Sequence, residues 1–476
     1  MPRKYAPAAF LGGAIFLPVG AGVMLASFNL TPVRLLIATG ILRCILRRET
    51  PALFPLAADR LFALFALVAL GTSFFHDDVA GTTVYHVALS IDILGTYFLF
   101  RIWIGNRQDV LLFLQWILIF AAPLALFMAM EFVTGKNLFN FVGGIPVESA
   151  LRGDRVRARG PFRHAILAGT YGGVALPLAI ALWQTNRRIA WIGLVSGFLI
   201  VLASTSGGPV MTLGSVLVAL WLWRYRARLR VILWSAVASL LLLHLIMNAP
   251  VWYLIARVEI GGGGYYRAKL IDSAIKYLNE WWLAGTDATR HWMPSGVKWS
   301  EDAADITNGY LSFGVLGGLP LMLTFIGIIT ISFRHLARAY KCLGHFDERD
   351  KFIVWCIGAS LFGHAVSMMS IRYYDQFAVV FYSFLAVLAS YCQLLMSREA
   401  PQEDYTNGRL ADFAASDPRN HHNISPPVPT SHEVSASVLA GWGFSQPPTQ
   451  GRWNGSRLVA KPPLRPLIES RSEGIQ

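Results

Sequence analysis

The sequence predicts an all-α, polytopic integral membrane protein: a bundle of about twelve transmembrane helices, both termini cytoplasmic, with a small extracytoplasmic loop domain. Three observations predict it. Of 476 residues, 54% are hydrophobic and only 14% charged, and the mean hydropathy is +0.47, outside the habit of soluble domains. Apolar runs long enough to cross a hydrocarbon core of ~30 Å recur from residue 8 to about 396. Lys and Arg punctuate every second gap between those runs, and positive loops stay cytoplasmic.

The runs fall at roughly 8–27, 30–46, 60–76, 84–104, 109–131, 164–184, 189–205, 208–224, 231–248, 309–332, 352–370 and 375–396. The first carries Gly12, Gly13, Pro18, Gly20 and Gly22 and no cleavage-like end, so it reads as a retained span. Arg3 and Lys4 place the N-terminus inside. Basic residues then follow span two (Arg43, Arg47, Arg48, Arg60), span four (Arg101, Arg107), span six (Arg187, Arg188) and span eight (Arg224, Arg226, Arg228, Arg230). They follow span ten (Arg334, Arg338, Lys341, Arg349, Lys351) and span twelve (Arg398) as well. The net charge of +13 is therefore mostly cytoplasmic anchoring, and no nucleic-acid partner is needed to explain it.

Four divisions follow: N-terminal helices over 1–131, a core over 132–332, C-terminal helices over 333–396, and a tail over 397–476. The core holds two long external loops, 132–163 and 249–308. The tail contains ten of the 24 prolines and little apolar periodicity, the composition of a disordered cytoplasmic segment. Cys44, Cys342, Cys356 and Cys392 form no CxxC pair and share no external loop, so they read as packing residues. The run Gly261-Gly262-Gly263-Gly264 lacks P-loop spacing and reads as a hinge. Asp92 in span four is the clear intramembrane acid, with His86 as its candidate neighbour.

External loop 132–163 breaks the charge rule. Arg152, Arg155, Arg157, Arg159 and Arg163 crowd into twelve residues where arginines are not expected. Guanidinium groups pair with phosphate oxygens in two parallel hydrogen bonds and stay charged at any relevant pH. The cluster reads as a phosphate clamp for a lipid-linked diphosphate; the plainer alternative pins the loop to lipid headgroups or to Glu148 and Asp154. Arg372, in Ser370-Ile371-Arg372-Tyr373-Tyr374-Asp375, is a second cation of this kind, or half of an interfacial Arg–Asp pair. Trp252, Tyr253, Tyr265, Tyr266, Trp281, Trp282, Trp292 and Trp299 make the larger loop aromatic, suited to sugar rings or to the headgroup layer.

Arg159-Gly160-Pro161-Phe162-Arg163-His164 runs directly into span six. It resembles the Arg-x-Gly-x-Phe segment that opens the core of the bacterial O-antigen ligase and O-antigen polymerase family. Ser204-Thr205-Ser206-Gly207-Gly208, between spans seven and eight, is similar to that family's outer Ser-Gly stretch. Tyr266-Arg267-Ala268-Lys269-Leu270, leading to Trp281-Trp282-Leu283-Ala284-Gly285, is similar to its arginine-led helix closing on glycine. Asp305-Ile306-Thr307-Asn308-Gly309-Tyr310-Leu311, followed by Gly314, Gly317 and Gly318, is similar to its His-Asn-x-x-Leu segment.

The resemblance covers roughly 150–330 and implies glycosyl transfer at the outer face of a bacterial inner membrane. The implied donor is a polyprenyl-diphosphate-linked glycan and the acceptor a glycan or lipid, with polysaccharide-assembly proteins as further partners. Arg155, Arg157, Arg159, Arg163, Arg267 and Arg372 would bind the diphosphate, with His164 beside them. Thr307 stands where the family has histidine and cannot serve as general base. Asp305, His291 and Asp302 are the replacements in reach, with Asn308 adjoining; Asp305 is equally readable as a capping acid, and His291 as an exposed loop residue. No metal motif appears in the external segments, so neither metal nor other cofactor is expected. The rival class is a twelve-span transporter or lipid-linked oligosaccharide flippase, against which the halves do not match and the longest loop follows span nine.

Overall fold

The computed structural model describes residues 1–397, apart from 26–27, 52, 54, 259–262 and 345–346. The expected tail beyond residue 397 and half of the glycine hinge, Gly261 and Gly262, lie outside the described residues. The structure is 75% helical with almost no sheet.

Thirteen principal helices make up the order: α1 (Ala6–Phe16), α2 (Pro32–Arg47), α3 (Ala57–Thr72), α4 (Val79–Trp103), α5 (Arg107–Thr134), α6 (Ala165–Ala181) and α7 (Arg187–Ala203). There follow α8 (Gly207–Trp221), α9 (Leu229–Ile246), α10 (Gly264–Lys276), α11 (Gly309–Cys342), α12 (Glu348–Ser367) and α13 (Asp375–Met396). Polar residues at the gaps between apolar runs start several of them. The side chains of Asn106, Asn186 and Asn308 accept from backbone N–H groups of the first turns of α5, α7 and α11, satisfying donors that have no intrahelical partner. Thr31 caps α2 in the same way, with Pro32 at its first position.

Six helical stretches are long and apolar enough to cross a membrane: Ala57–Phe75, Val79–Trp103, Arg107–Thr134, Gly207–Ile246, Gly309–Cys342 and Asp375–Met396. Within Gly207–Ile246 the expected break between two runs is present, at Leu222–Arg228, where Tyr225 leaves helical geometry (φ −109°, ψ 18°). The first run departs most from expectation. Helix α1 stops at Phe16, about 17 Å of helix and too short to span. Val23–Leu25 and Phe28–Leu30 instead pair as two antiparallel strands, because Pro18, Gly20 and Gly22 cannot propagate the helix.

The loops segregate to two ends of the bundle. At one end His76, after α3, meets Asp287, Arg157 meets Ser206, Arg267 meets Ser370 and Gln376 meets Pro161. At the other, Arg3 meets Ile102, Arg107 meets Asp350 and Arg349 meets Thr185. The first group contains the gaps expected to be external and the second those expected to be cytoplasmic.

Helix α6 is buried along nearly its whole length, and α13 almost as completely. Helix α9, by contrast, has no buried residue. Arg101, expected in a cytoplasmic loop, lies inside α4 and is 4% exposed. It donates to both carboxylate oxygens of Asp59 at 3.1 Å and to Ser390 at 2.9 Å, while the Tyr97 hydroxyl donates to Asp59 at 2.6 Å. Asp92 pairs with Arg34 rather than with His86, through hydrogen bonds of 3.0 and 3.1 Å. His86 is instead held by Ser73.

The larger loop builds its own small core from Leu270, Ala274, Trp281, Trp292, Met293 and Ala304. That core docks on a break in α11. Leu319 N–H donates to Trp282 O at 2.8 Å and Thr286 N–H to Val315 O at 2.9 Å. Gly318, at φ +71°, is where the loop backbone passes: an added Cβ would collide with the Leu283 carbonyl. The two glycine-bearing segments that stood apart in sequence, 281–285 and 314–318, are thus two sides of one contact.

Candidate functional site

The arginine loop is built around a buried acid. Glu131, at the end of α5, is 1% exposed. Its Oε2 accepts Arg159 N–H at 3.0 Å and Gly160 N–H at 2.7 Å, and its Oε1 accepts the Ser149 hydroxyl at 2.7 Å. Gly160 takes φ +57°, and a Cβ there would meet Leu124 at 3.0 Å, so the turn that aims Arg159 needs glycine. Phe162 is buried and packs edge-on to Phe377, while Tyr171 lies 6.2 Å away. The backbone of Arg159-Gly160-Pro161-Phe162 is therefore fixed, with the Arg159 side chain half-buried and that of Arg163, next in the chain, exposed.

The five loop arginines separate in role. Arg152 and Arg155 are exposed on a two-residue ladder. Arg157 folds inward and donates to Ser206 at 3.0 Å, so the Ser204–Gly208 stretch supports the cluster; burial, then the charge of Arg152, lowers its pKa from the ordinary value. Arg159 is half-buried beside it, and Arg163 is exposed, its Nη1 3.8 Å from Asp375 Oδ2. Among the described residues neither Glu148 nor Asp154 pairs with the cluster. Positive charge is gathered here and not neutralised by the loop's own acids.

His164 marks the centre. It precedes α6 in extended conformation and its Nδ1 accepts from Ile166 N–H at 3.1 Å. Burial, together with the charges of Arg157, Arg159 and Arg267, depresses its pKa to about 4, leaving a neutral ring. Arg267 comes from α10, a hundred residues away in sequence, and its Nε donates to Ser370 O at 3.1 Å. Asp305 lies within reach of the same guanidinium; burial raises its carboxyl above the ordinary carboxylate range and Arg267 opposes the shift. Tyr374 stands between two acids and two cations, under the charges of Asp375, Arg163, Asp305 and Arg372. Arg372 donates to the Tyr85 hydroxyl at 2.6 Å and lies 5.7 Å from the Phe313 ring centre.

Arg157, Arg159, Arg163, Arg267, Arg372, His164 and Asp305 thus converge from four separate segments. His291 and Asn308 do not share that environment's chemistry. His291 is half exposed in the loop domain, its Nε2 2.9 Å from Glu280 and its ring against Tyr277. The Asn308 oxygen is occupied in capping α11, accepting from Tyr310 and Leu311 N–H. The aromatic residues of the loop divide as well: Trp281 and Trp292 are core, while Trp282 and Trp299 are exposed.

Beside this convergence lies a cavity of about 150 Å³ between α2, α4 and α13, lined by Arg34, Tyr85, Asp92, Arg372, Tyr374, Asp375 and Tyr382. Its inner wall includes Asp92 on a π-helical turn, Ile91–Gly95, of α4. Such turns widen a helix locally and recur at functional sites. Among the described residues, no group of histidine, cysteine and acid side chains is placed to hold a metal ion. No protein-family model and no curated protein sequence matches the chain.

Proposed function

We propose that this is a membrane glycosyltransferase of cell-surface polysaccharide assembly. In this reading it transfers or polymerises a polyprenyl-diphosphate-linked oligosaccharide on the outer face of a bacterial inner membrane, crossing that membrane twelve times with both termini inside. The sorting of alternate gaps to opposite ends of the bundle supports the alternation. The observation that carries the activity is the convergence of Arg157, Arg159, Arg163, Arg267 and Arg372 at the end where the two long loops lie. A set of preorganised guanidinium groups without neutralising acids in its own loop suits a dianionic donor diphosphate whose leaving group gains a further negative charge. Charge grows on the diphosphate as the glycosidic bond breaks, so the same cations bind the donor and lower the barrier.

The test is a deletion strain complemented with wild type or Arg159→Ala, with surface polysaccharide length read on a gel. Loss of long chains, restored only by wild type, supports polymerisation, whereas long chains retained on the carrier lipid point to ligation. A deletion strain with an unchanged ladder removes this reading and brings a transporter forward. Arg159→Ala should cost about 2–4 kcal/mol of barrier if it contacts the leaving group.

A further inference from the structure

Glycosyl transfer by inversion at a diphosphate donor also needs an acceptor hydroxyl and a group to take its proton. Thr307 cannot do this, and its neighbour Asn308 is committed to the α11 cap. The cavity beside the arginine cluster offers a different group. Asp375 is the first residue of α13 and lines that cavity. Its nearest cation is Arg163, at 3.8 Å an ion pair longer than a hydrogen bond, and Oδ2 accepts no hydrogen bond. Arg372, Arg163 and Asp92 all act on it electrostatically. Asp375 also has φ +55°, a conformation that side chains other than glycine, asparagine and aspartate seldom adopt. A carboxylate that lines a cavity, with an enclosed oxygen that accepts no hydrogen bond, can receive a proton from a group bound there.

The cavity walls state what brings that proton. Tyr85, Tyr374 and Tyr382 present aromatic surface, while the Arg34–Asp92 pair and Arg372 present charge. Val33, Leu89, Ile93, Ala378 and Val379 complete the walls; aromatic and aliphatic surface together with charged hydrogen-bonding groups suits a sugar ring, which offers C–H faces and hydroxyls together. An alkyl chain would leave the ion pair without polar company.

We propose, on the basis of the glycosyl-transfer reading, that this cavity is the acceptor subsite for a terminal monosaccharide unit and that Asp375 is the general base. The acceptor O–H proton passes to the Asp375 carboxylate. The freed oxygen electron pair forms the new bond to the donor's anomeric carbon. The bond from that carbon to the diphosphate breaks, its electron pair leaving on the lipid diphosphate against the arginine cluster. Asp375 then returns its proton to water at the cavity mouth. Asp305 is not among the residues that line the cavity.

The experiment uses the full chain in proteoliposomes with a synthetic polyprenyl-diphosphate oligosaccharide as donor and a fluorescent oligosaccharide as acceptor. Donor binding and turnover are read separately. Asp375→Asn keeps a residue tolerant of positive φ, so the fold is preserved while the base is lost. The expected result is a fall in turnover of at least about 100-fold with donor binding retained, and residual activity that climbs with pH. Asp375→Glu should recover part of the loss. Arg159→Ala should weaken donor binding as well as turnover, which Asp375→Asn should not. Asp375→Asn turning over like wild type overturns the assignment while leaving the donor reading standing. Wild-type protein that neither binds nor consumes the donor overturns both.

Discussion

Glu131 offers the sharpest test of how the arginine loop is held. Its carboxylate accepts three hydrogen bonds of 2.7, 2.7 and 3.0 Å at 1% exposure, two of them from the backbone of Arg159 and Gly160. Bonds to a charged acceptor are worth about 1.5–3 kcal/mol each, and non-additivity brings the expected loss for Glu131→Ala to roughly 3–6 kcal/mol. Glutamine is the informative comparison. Its carbonyl oxygen can take over both backbone donors, and its amide can donate to the Ser149 hydroxyl, so only the charge is lost, at about 1 kcal/mol. Thermal unfolding of both variants in detergent, with proteolysis of loop 132–163 as a local readout, separates these cases. Alanine should lower the midpoint markedly and expose the loop, and glutamine should sit close to wild type. An alanine variant that melts with wild type would mean that Glu131 does not hold the loop. Equal losses in both variants would mean that its charge matters and its hydrogen bonds do not.

Gly318→Ala places a Cβ against the Leu283 carbonyl at φ +71° and should destabilise by about 2–3 kcal/mol or more. Gly327→Ala in the same helix, where the nearest atom lies 3.7 Å away, should be neutral or stabilising by up to about 1 kcal/mol; thermal midpoints compare the two. His164 gives a pH signature. The unfolded chain takes up its proton below about 6.5 while the folded ring stays neutral until about 4, so stability is lost as pH falls across that window. His164→Asn, which retains a capping side chain, should flatten that component of the unfolding profile, and an unchanged slope would refute the buried neutral histidine.

The apolar runs were legible as helices because length and composition alone select helices in an apolar surrounding, though among the described residues six stretches, not twelve, are long and apolar enough to cross a membrane. The first was misjudged in extent because hydropathy is blind to Pro18, Gly20 and Gly22 acting together. The charged pairs were hidden for a different reason. Asp59, at the start of α3, drew no reading, and Arg101, near the end of α4, looked like a loop marker when read singly. Adjacent antiparallel helices bring the start of one to the end of the next, and that geometry turns the two into one buried pair. Arg34 and Asp92 follow the same logic across 58 residues. Glu131 left a weaker trace: a lone acid closing an apolar run is also what any helix end looks like. What no local pattern carries is which of several acids near an arginine cluster faces a cavity. Asp305 had the motif and Asp375 had only Arg372 as a neighbour in sequence, yet it is Asp375 that the crossing of α2, α4 and α13 sets beside open space. The chemistry of such a site resides in helix crossings, and the sequence encodes those only through which residues are small enough to let the helices meet.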